Sequence, residues 1–287
     1  MNKSKNILIT GASTGIGFDL CKSFIRAGYT VFGSVRKTAD ADKLKGELGE
    51  QFHPLLFDVT DHEAVDKAAA EMTEKIGHEG LAGLINNAGI ALGGPFAHVD
   101  IEDFRQQFEV NVIGLVKVTQ AFLPLLGMRA DHPSSPGKII MMSSLTGKVA
   151  MPFISPYVGS KHALEGIAVS LRRELLLFGI DVIVVGPGAI KTPIWNKGAD
   201  DPRNAAFFKT PWAESLGIFQ KVFVLRSIKK GWNSDVLAEK VLTIFEKNNP
   251  KTRYALVPQR FENWTLPRLL PARRLDKMIG KGLKLLN

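Results

Sequence analysis

Along the 287 residues, short aliphatic runs alternate with longer stretches whose apolar positions recur every three or four residues. The runs KNILIT (5–10), YTVFGSV (29–35), FHPLLFDV (52–59), LAGLINN (81–87), KIIMMSS (138–144), IDVIVVG (180–186) and YALVP (254–258) read as seven strands. Their hydrophobicity is almost unbroken, which suits strands covered on both faces. Helical spacing predicts helices over roughly 16–27, 62–77, 101–127, 156–178 and 234–248. Such alternation implies right-handed crossovers and a mainly parallel sheet flanked by helices on both faces. The stretch ADHPSSPG (130–137) reads as a loop rather than a boundary. The pattern therefore predicts one doubly wound α/β domain over residues 1–260.

Composition narrows the setting without changing that picture. At 45% hydrophobic and 23% charged, the chain matches an ordinary globular protein. One cysteine, Cys21, excludes an intramolecular disulfide and a cysteine-rich zinc site. It falls in the apolar series Ile16, Leu20, Cys21, Phe24 and reads as core, so a reducing, cytoplasmic setting is expected. None of the histidines comes in metal-ligand spacing, and no metal is expected. No apolar run is long enough to span a bilayer, and the first residues enter a strand at once, so no signal peptide is expected. The formal charge is +9, of which +5 lies from Arg260 onward, leaving +4 for the other 259 residues. A concentrated tail charge argues against a nucleic-acid-binding body.

Chemistry begins after the first strand, at TGASTGIG (10–17). Gly11 suits a tight turn, Gly15 a close approach of backbone to a pyrophosphate, and Gly17 close packing of helix on sheet. A helix N-terminus then presents free N–H groups to phosphates. Lying between a strand and a helix, this is the fingerprint of a Rossmann dinucleotide site, with Gly11, Ser13, Thr14, Gly15, Ile16 and Gly17 as candidate contacts. At the end of the second strand, where NAD sites carry an acidic residue, the chain reads Val35, Arg36, Lys37. Arg36 can pair with a 2′-phosphate, which favours NADP(H). A solvated basic loop containing Asp40 and Asp42 is the plainer alternative.

TGASTGIG, NNAG (86–89), Asn111, the serine pair 143–144, YVGSK (157–161) and PGAIKT (187–192) follow one another in order. Together they resemble the short-chain dehydrogenase/reductase family over roughly residues 5–260, and in general look its hydroxysteroid and retinol dehydrogenases. The resemblance implies catalytic roles for Asn111, Ser144, Tyr157 and Lys161. Tyr157 would be the general acid and base, and Lys161 would hold the nicotinamide ribose and lower the tyrosine pKa. Asn111 would position a relay water. Ser144 is preferred to Ser143 because it stands thirteen residues before Tyr157, the interval that the resemblance implies. The same resemblance implies that Asp58 and Val59 lie near adenine, and Asn87, Ala88 and Gly89 near the adenosine and ribose; the plainer alternatives are that Asp58 begins a turn and that NNAG only shapes the turn after the fourth strand. Pro187, Gly188, Ile190 and Thr192 follow the sixth strand, where ligands sit at the carboxyl ends of parallel strands, and the resemblance implies that Ile190 and Thr192 contact the nicotinamide carboxamide.

Physical chemistry points the same way. A free tyrosine has a pKa of about 10, too high for easy proton shuttling at neutral pH. An ammonium one turn along the same helix face stabilises the phenolate. Ser155 as N-cap with Pro156 at the first helical position would place Tyr157 in the first turn, where the helix dipole also favours negative charge. Ser144 could donate to a developing alkoxide. The expected function is NADP(H)-dependent interconversion of an alcohol and a carbonyl, in an assembly expected to be a homodimer or homotetramer. A non-catalytic NADP(H)-binding regulator is the alternative, and it would have no need of a complete proton relay.

Residues 195–232, with Phe207, Phe208, Trp212, Phe219, Phe223 and Leu225, read as an insertion that covers the substrate, or else as an ordinary packed subdomain. Met151, Phe153 and Ile154 would add an apolar wall, so a bulky apolar, steroid-, retinoid- or lipid-like substrate is expected. The tail 261–287 has Leu275, Met278, Ile279, Leu283 and Leu286 at helical spacing and basic residues on its other faces. Two readings stay open for it: a helix docked on the protein, or one in peripheral contact with anionic lipid.

Overall fold

The computed structural model describes residues 4–129, 135–192, 204–225 and 229–286. The seven expected strands all form: β1 (Asn6–Ile9), β2 (Thr30–Val35), β3 (Phe52–Leu56), β4 (Gly83–Asn86), β5 (Lys138–Met142), β6 (Asp181–Pro187) and β9 (Arg253–Leu256). They make one sheet in the order β3-β2-β1-β4-β5-β6-β9, with every pairing parallel. Successive strand side chains alternate between two apolar layers. Leu8, Leu84, Ile139 and Val182 face helices α3 (His62–Ile76), α5 (Gly114–Phe122) and α6 (Ser155–Glu174). Ile7, Ile9, Ile85 and Ile140 face α1 (Gly15–Arg26), α2 (Thr38–Leu48) and α8 (Ser234–Phe245). Continuous apolar runs are thus explained: both faces of the sheet are covered.

Cys21 lies fully buried in the second layer, where burial pushes its thiol pKa far up. Three differences from the sequence reading stand out. The segment after β2 is helix α2 rather than a loop. Only Ala41 and Leu44 of it are buried, so its pattern was too thin to read. The 101–127 helix is interrupted: α4 (Ile101–Phe108) passes through a π-helical segment, Glu109–Ile113, into α5. Two short strands, β7 (Ile190–Lys191) and β8 (Trp232–Asn233), pair Ile190 with Trp232 and close the base of the insertion.

Within the insertion, α7 (Ala213–Phe219) buries Leu216 and Phe219. Trp195 and the side chains of Phe223 and Leu225 lie outside the described residues, as does part of the 130–137 loop. The tail forms α9 (Ala272–Gly282). Its expected apolar face is divided. Ile279 and Leu283 pack with Phe153, Leu216 and Phe219, whereas Met278 and Leu286 are exposed. Ser215 Oγ donates to the Lys284 carbonyl at 3.2 Å, and Lys284 pairs with Glu214, fastening the tail to α7.

Candidate active site

The strand order turns between β1 and β4, so their carboxyl ends open a crevice. Thr10 stitches the two ends together. Its Oγ1 accepts from the N–H groups of Asn87 and Ala88, both at 2.9 Å. Asn87 Nδ2 returns bonds to the Thr10 carbonyl at 2.9 Å and the Gly11 carbonyl at 3.3 Å. Sequence reasoning missed Ser34, whose Oγ accepts from Gly11 N at 3.0 Å and braces the glycine turn from β2. A buried serine within an apolar strand carries no pattern that marks it.

Gly11 and Gly15 adopt φ of +68° and +59°, a conformation that disfavours side chains. A Cβ on Gly17 would fall 2.0 Å from the Gly11 carbonyl oxygen. Among the described residues no side chain caps the start of α1, so its first N–H groups remain available to an anion. A cavity of about 860 Å³ opens over this cradle, walled by Ser13, Thr14 and Ile16 on one side and Asn87, Ala88 and Gly89 on another. Arg36, Asp58 and Val59 line its far end. Arg36 Nη1 lies 3.6 Å from Asp58, whose other oxygen accepts from Thr60 N and Oγ1 at 3.0 and 2.9 Å. These residues fit a dinucleotide: glycines where phosphates need backbone contact, and an exposed guanidinium where the ribose would end.

Of the four candidates after β6, Thr192 lines this cavity. Ile190 is instead buried in the second core layer, and Gly188 N bonds the Leu256 carbonyl at 2.9 Å. Pro187 ends β6. None of these three lines the cavity.

The cavity wall at Gly89 leads to the remaining candidates. A Cβ there would sit 3.2 Å from Asn111 Oδ1 and 3.8 Å from Lys161 Nζ. Asn111, in the π-helical segment, is fully buried. It accepts from Ile90 N at 2.9 Å and donates to the Ile90 carbonyl at 3.0 Å and to Ser160 Oγ at 3.1 Å. Its side chain therefore pins the turn after NNAG, leaving one lone pair of Oδ1 over. Lys161 is 5% exposed, and Nζ donates to the Met142 carbonyl at 2.9 Å. Burial brings its pKa down to about 8. Nζ lies 5.7 Å from the centre of the Tyr157 ring.

Ser144 Oγ accepts from both Thr146 N, at 3.1 Å, and Thr146 Oγ1, at 2.9 Å. With both lone pairs engaged, the hydroxyl is left to donate. Tyr157 departs from expectation. Burial raises its pKa above the ordinary tyrosine value, and a hydrogen bond with Ser144 opposes the rise without reversing it. Lys161 Nζ donates to the Met142 carbonyl and stands off the ring, so burial and Ser144 are what set the phenol pKa here. The expected cap also fails: α6 starts at Ser155, preceded by Ile154 with no side-chain cap, and Ser155 Oγ has no hydrogen-bond partner among the described residues. Phe153, at φ +67°, makes the sharp turn into the helix, and its carbonyl accepts from Gly94 N at 2.7 Å.

A family model described as short chain dehydrogenase matches residues 5–203. The chain belongs to that family. An NADPH-dependent 3-dehydrocapnine reductase from Ornithobacterium rhinotracheale is 41% identical over 277 residues, 96% of each chain. Dehydrogenase/reductase SDR family member 9 from Bos taurus is 33% identical, covering 96% of this chain and 88% of that one. Among solved structures, a short-chain dehydrogenase from Streptomyces avermitilis superposes over the whole of both chains, with a TM-score of 0.76 and 27% identity. Membership in the short-chain dehydrogenase family makes the chain an oxidoreductase.

Proposed function

We propose that this oxidoreductase uses NADP(H) to interconvert an alcohol and a carbonyl on a bulky apolar substrate, with Tyr157 handling the proton. The observation that carries the reading is Tyr157 hydrogen-bonded to Ser144 and one helical turn from Lys161, whose Nζ lies 3.8 Å from where a Cβ on the cavity-lining Gly89 would sit. Arg36 and the glycine cradle support NADP(H), as does the NADPH dependence named for the 41% identical relative. NADPH, when bound, supplies hydride to the carbonyl carbon. Tyr157 gives its phenolic proton to the carbonyl oxygen while Ser144 donates a hydrogen bond to that oxygen. Ser144 stabilises the resulting phenolate, and Lys161, 5.7 Å from the ring centre, is the cation nearest to draw closer as that charge forms. Asn111 Oδ1 and Lys161 Nζ flank the space above Gly89, where a water would join them and return a proton. Alcohol oxidation runs the same proton path in reverse.

An apolar substrate is supported by the wall that the insertion raises. Phe207 lines the cavity and packs with Met151, Phe153, Ile154, Trp212 and Phe219. The outward side of α9 carries Arg273, Arg274, Lys277 and Lys281 beside exposed Met278, Leu285 and Leu286. That combination supports peripheral contact with anionic lipid by a helix that stays docked.

The test follows NADPH absorbance across steroids, retinoids, long-chain aldehydes, quinones and 3-dehydrocapnine. At least one should turn over. Tyr157→Phe should lower kcat about a thousandfold, with NADPH affinity nearly unchanged. NADPH binding without turnover of any member would favour the regulatory reading, and a Tyr157→Phe variant with near-normal kcat would remove the mechanism.

A further inference from the structure

Behind the serine pair lies a carboxylate that the chemistry above does not use. Glu165 is on α6, four residues after Lys161 and eight after Tyr157, and is 3% exposed. Ser143 Oγ donates to its Oε1 at 2.9 Å. Arg253, from β9, reaches it with Nε at 3.0 and 2.9 Å and with Nη2 at 2.7 Å. Lys148 Nζ lies 3.2 Å from Oε2. Burial pushes the Glu165 pKa up, but the bonds and charge of Arg253, with Ser143 and Lys148, outweigh it and leave the group below its ordinary value. The carboxylate is therefore ionised at neutral pH.

The cluster is packed tightly against the turn that carries Ser144. A Cβ on Gly147 would meet Ser143 Oγ at 2.5 Å and Glu165 Oε1 at 2.9 Å. A Cβ on Gly186 would meet Arg253 Nη2 at 2.6 Å. Nη2 also reaches the Ser144 carbonyl at 3.5 Å. Trp264, at the start of the tail, lies 4.4 Å from the Arg253 guanidinium, with Arg268 at 4.6 Å from the same ring.

We propose that Glu165 and Arg253 are positioning residues for Ser144, holding the 143–147 turn from behind so that its hydroxyl stays directed at Tyr157. A buried ion pair is an expensive way to gain stability, since apolar side chains of similar size serve as well or better. It does give direction. Ser143 ties one end of the turn to the carboxylate, Arg253 holds the Ser144 carbonyl, and Thr146 orients the Ser144 hydroxyl. This inference rests on the reading of Ser144 as the donor to the substrate oxygen.

The test uses Ser143→Ala, Glu165→Gln and the apolar pair Glu165→Leu with Arg253→Met, all in the full chain. Hydrogen exchange at the Thr146 and Gly147 amides, which bond Ser144 Oγ and the Ser144 carbonyl, needs no substrate. It should quicken at least tenfold in Ser143→Ala. On the panel carbonyl with highest turnover, kcat should fall roughly tenfold or more in Ser143→Ala and Glu165→Gln, with the KM for NADPH unchanged. The apolar pair should keep a near-normal melting temperature without recovering kcat. Unchanged exchange and kcat in Ser143→Ala would overturn the proposal, as would an apolar pair with full kcat. Ser144→Ala separates the layers: if it alone keeps full kcat, the donor reading of Ser144 fails, whereas an inactive Ser144→Ala beside a fully active Ser143→Ala fails the positioning inference only.

Discussion

At the scale of single residues, Lys161 shows what the site costs the fold. An ammonium drawn out of water is penalised, and its pKa falls from 10.5 to about 8. Below about pH 8 both folded and unfolded states hold the proton, and the full penalty is present. Between 8 and 10.5 the unfolded chain binds more protons than the folded one, so this group's contribution to stability rises with pH. Lys161→Met removes the titration. The unfolding free energy of the wild type relative to that variant should therefore climb by about 2 kcal/mol from pH 7 to pH 9.5, read from urea melts. A difference that stays flat would mean the ammonium is well solvated. Tyr157 and Lys161 could be picked out because they stand four residues apart on one helix face, and Ser144 because the family resemblance puts a serine thirteen residues before Tyr157. Glu165 and Arg253 were not, because 88 residues separate partners that only the β6–β9 pairing brings together.

At the scale of elements, the glycine cradle is a contact between one helix and one turn. A methyl at Gly17 would collide with the Gly11 carbonyl at 2.0 Å and with Asn87 Nδ2 at 2.8 Å. Both neighbours are fixed, one as backbone and the other by its bonds to Thr10 and Gly11. Helix α1 would have to move off the sheet edge, taking its free N–H groups from the phosphate site. Gly17→Ala should weaken NADPH binding by at least 2–3 kcal/mol, about 30- to 150-fold, and lower the melting temperature. Binding within a few-fold of wild type by calorimetry would show that α1 can shift without harm. Strands were readable as continuous apolar runs because both sheet faces are covered. Helix α2 escaped because two buried residues make no periodic stripe, and the π-helical turn around Asn111 escaped because a local change of winding leaves the apolar spacing intact.

At the scale of the whole molecule, the sheet was legible end to end, while the role of the tail depends on contacts that no local pattern encodes. Leu283 is 2% exposed among Phe153, Leu216 and Phe219, so the tail closes the apolar wall beside the turn that leads to Tyr157. Removing everything after Arg260 would therefore strip Trp264 from Arg253 and Leu283 from α7 together, confounding any test of lipid contact. The outward face can be probed without that damage, because Arg273, Lys277 and Lys281 are exposed. Each basic residue near an anionic surface contributes about 1 kcal/mol, so reversing three charges should abolish a weak attachment. The full chain should sediment with anionic vesicles at low salt and be released as salt rises, since screening shortens the reach of the attraction. Arg273→Glu with Lys277→Glu and Lys281→Glu should stay in the supernatant while keeping its melting temperature and NADPH affinity. If the wild type also stays in the supernatant, the tail acts only as a clamp on the insertion.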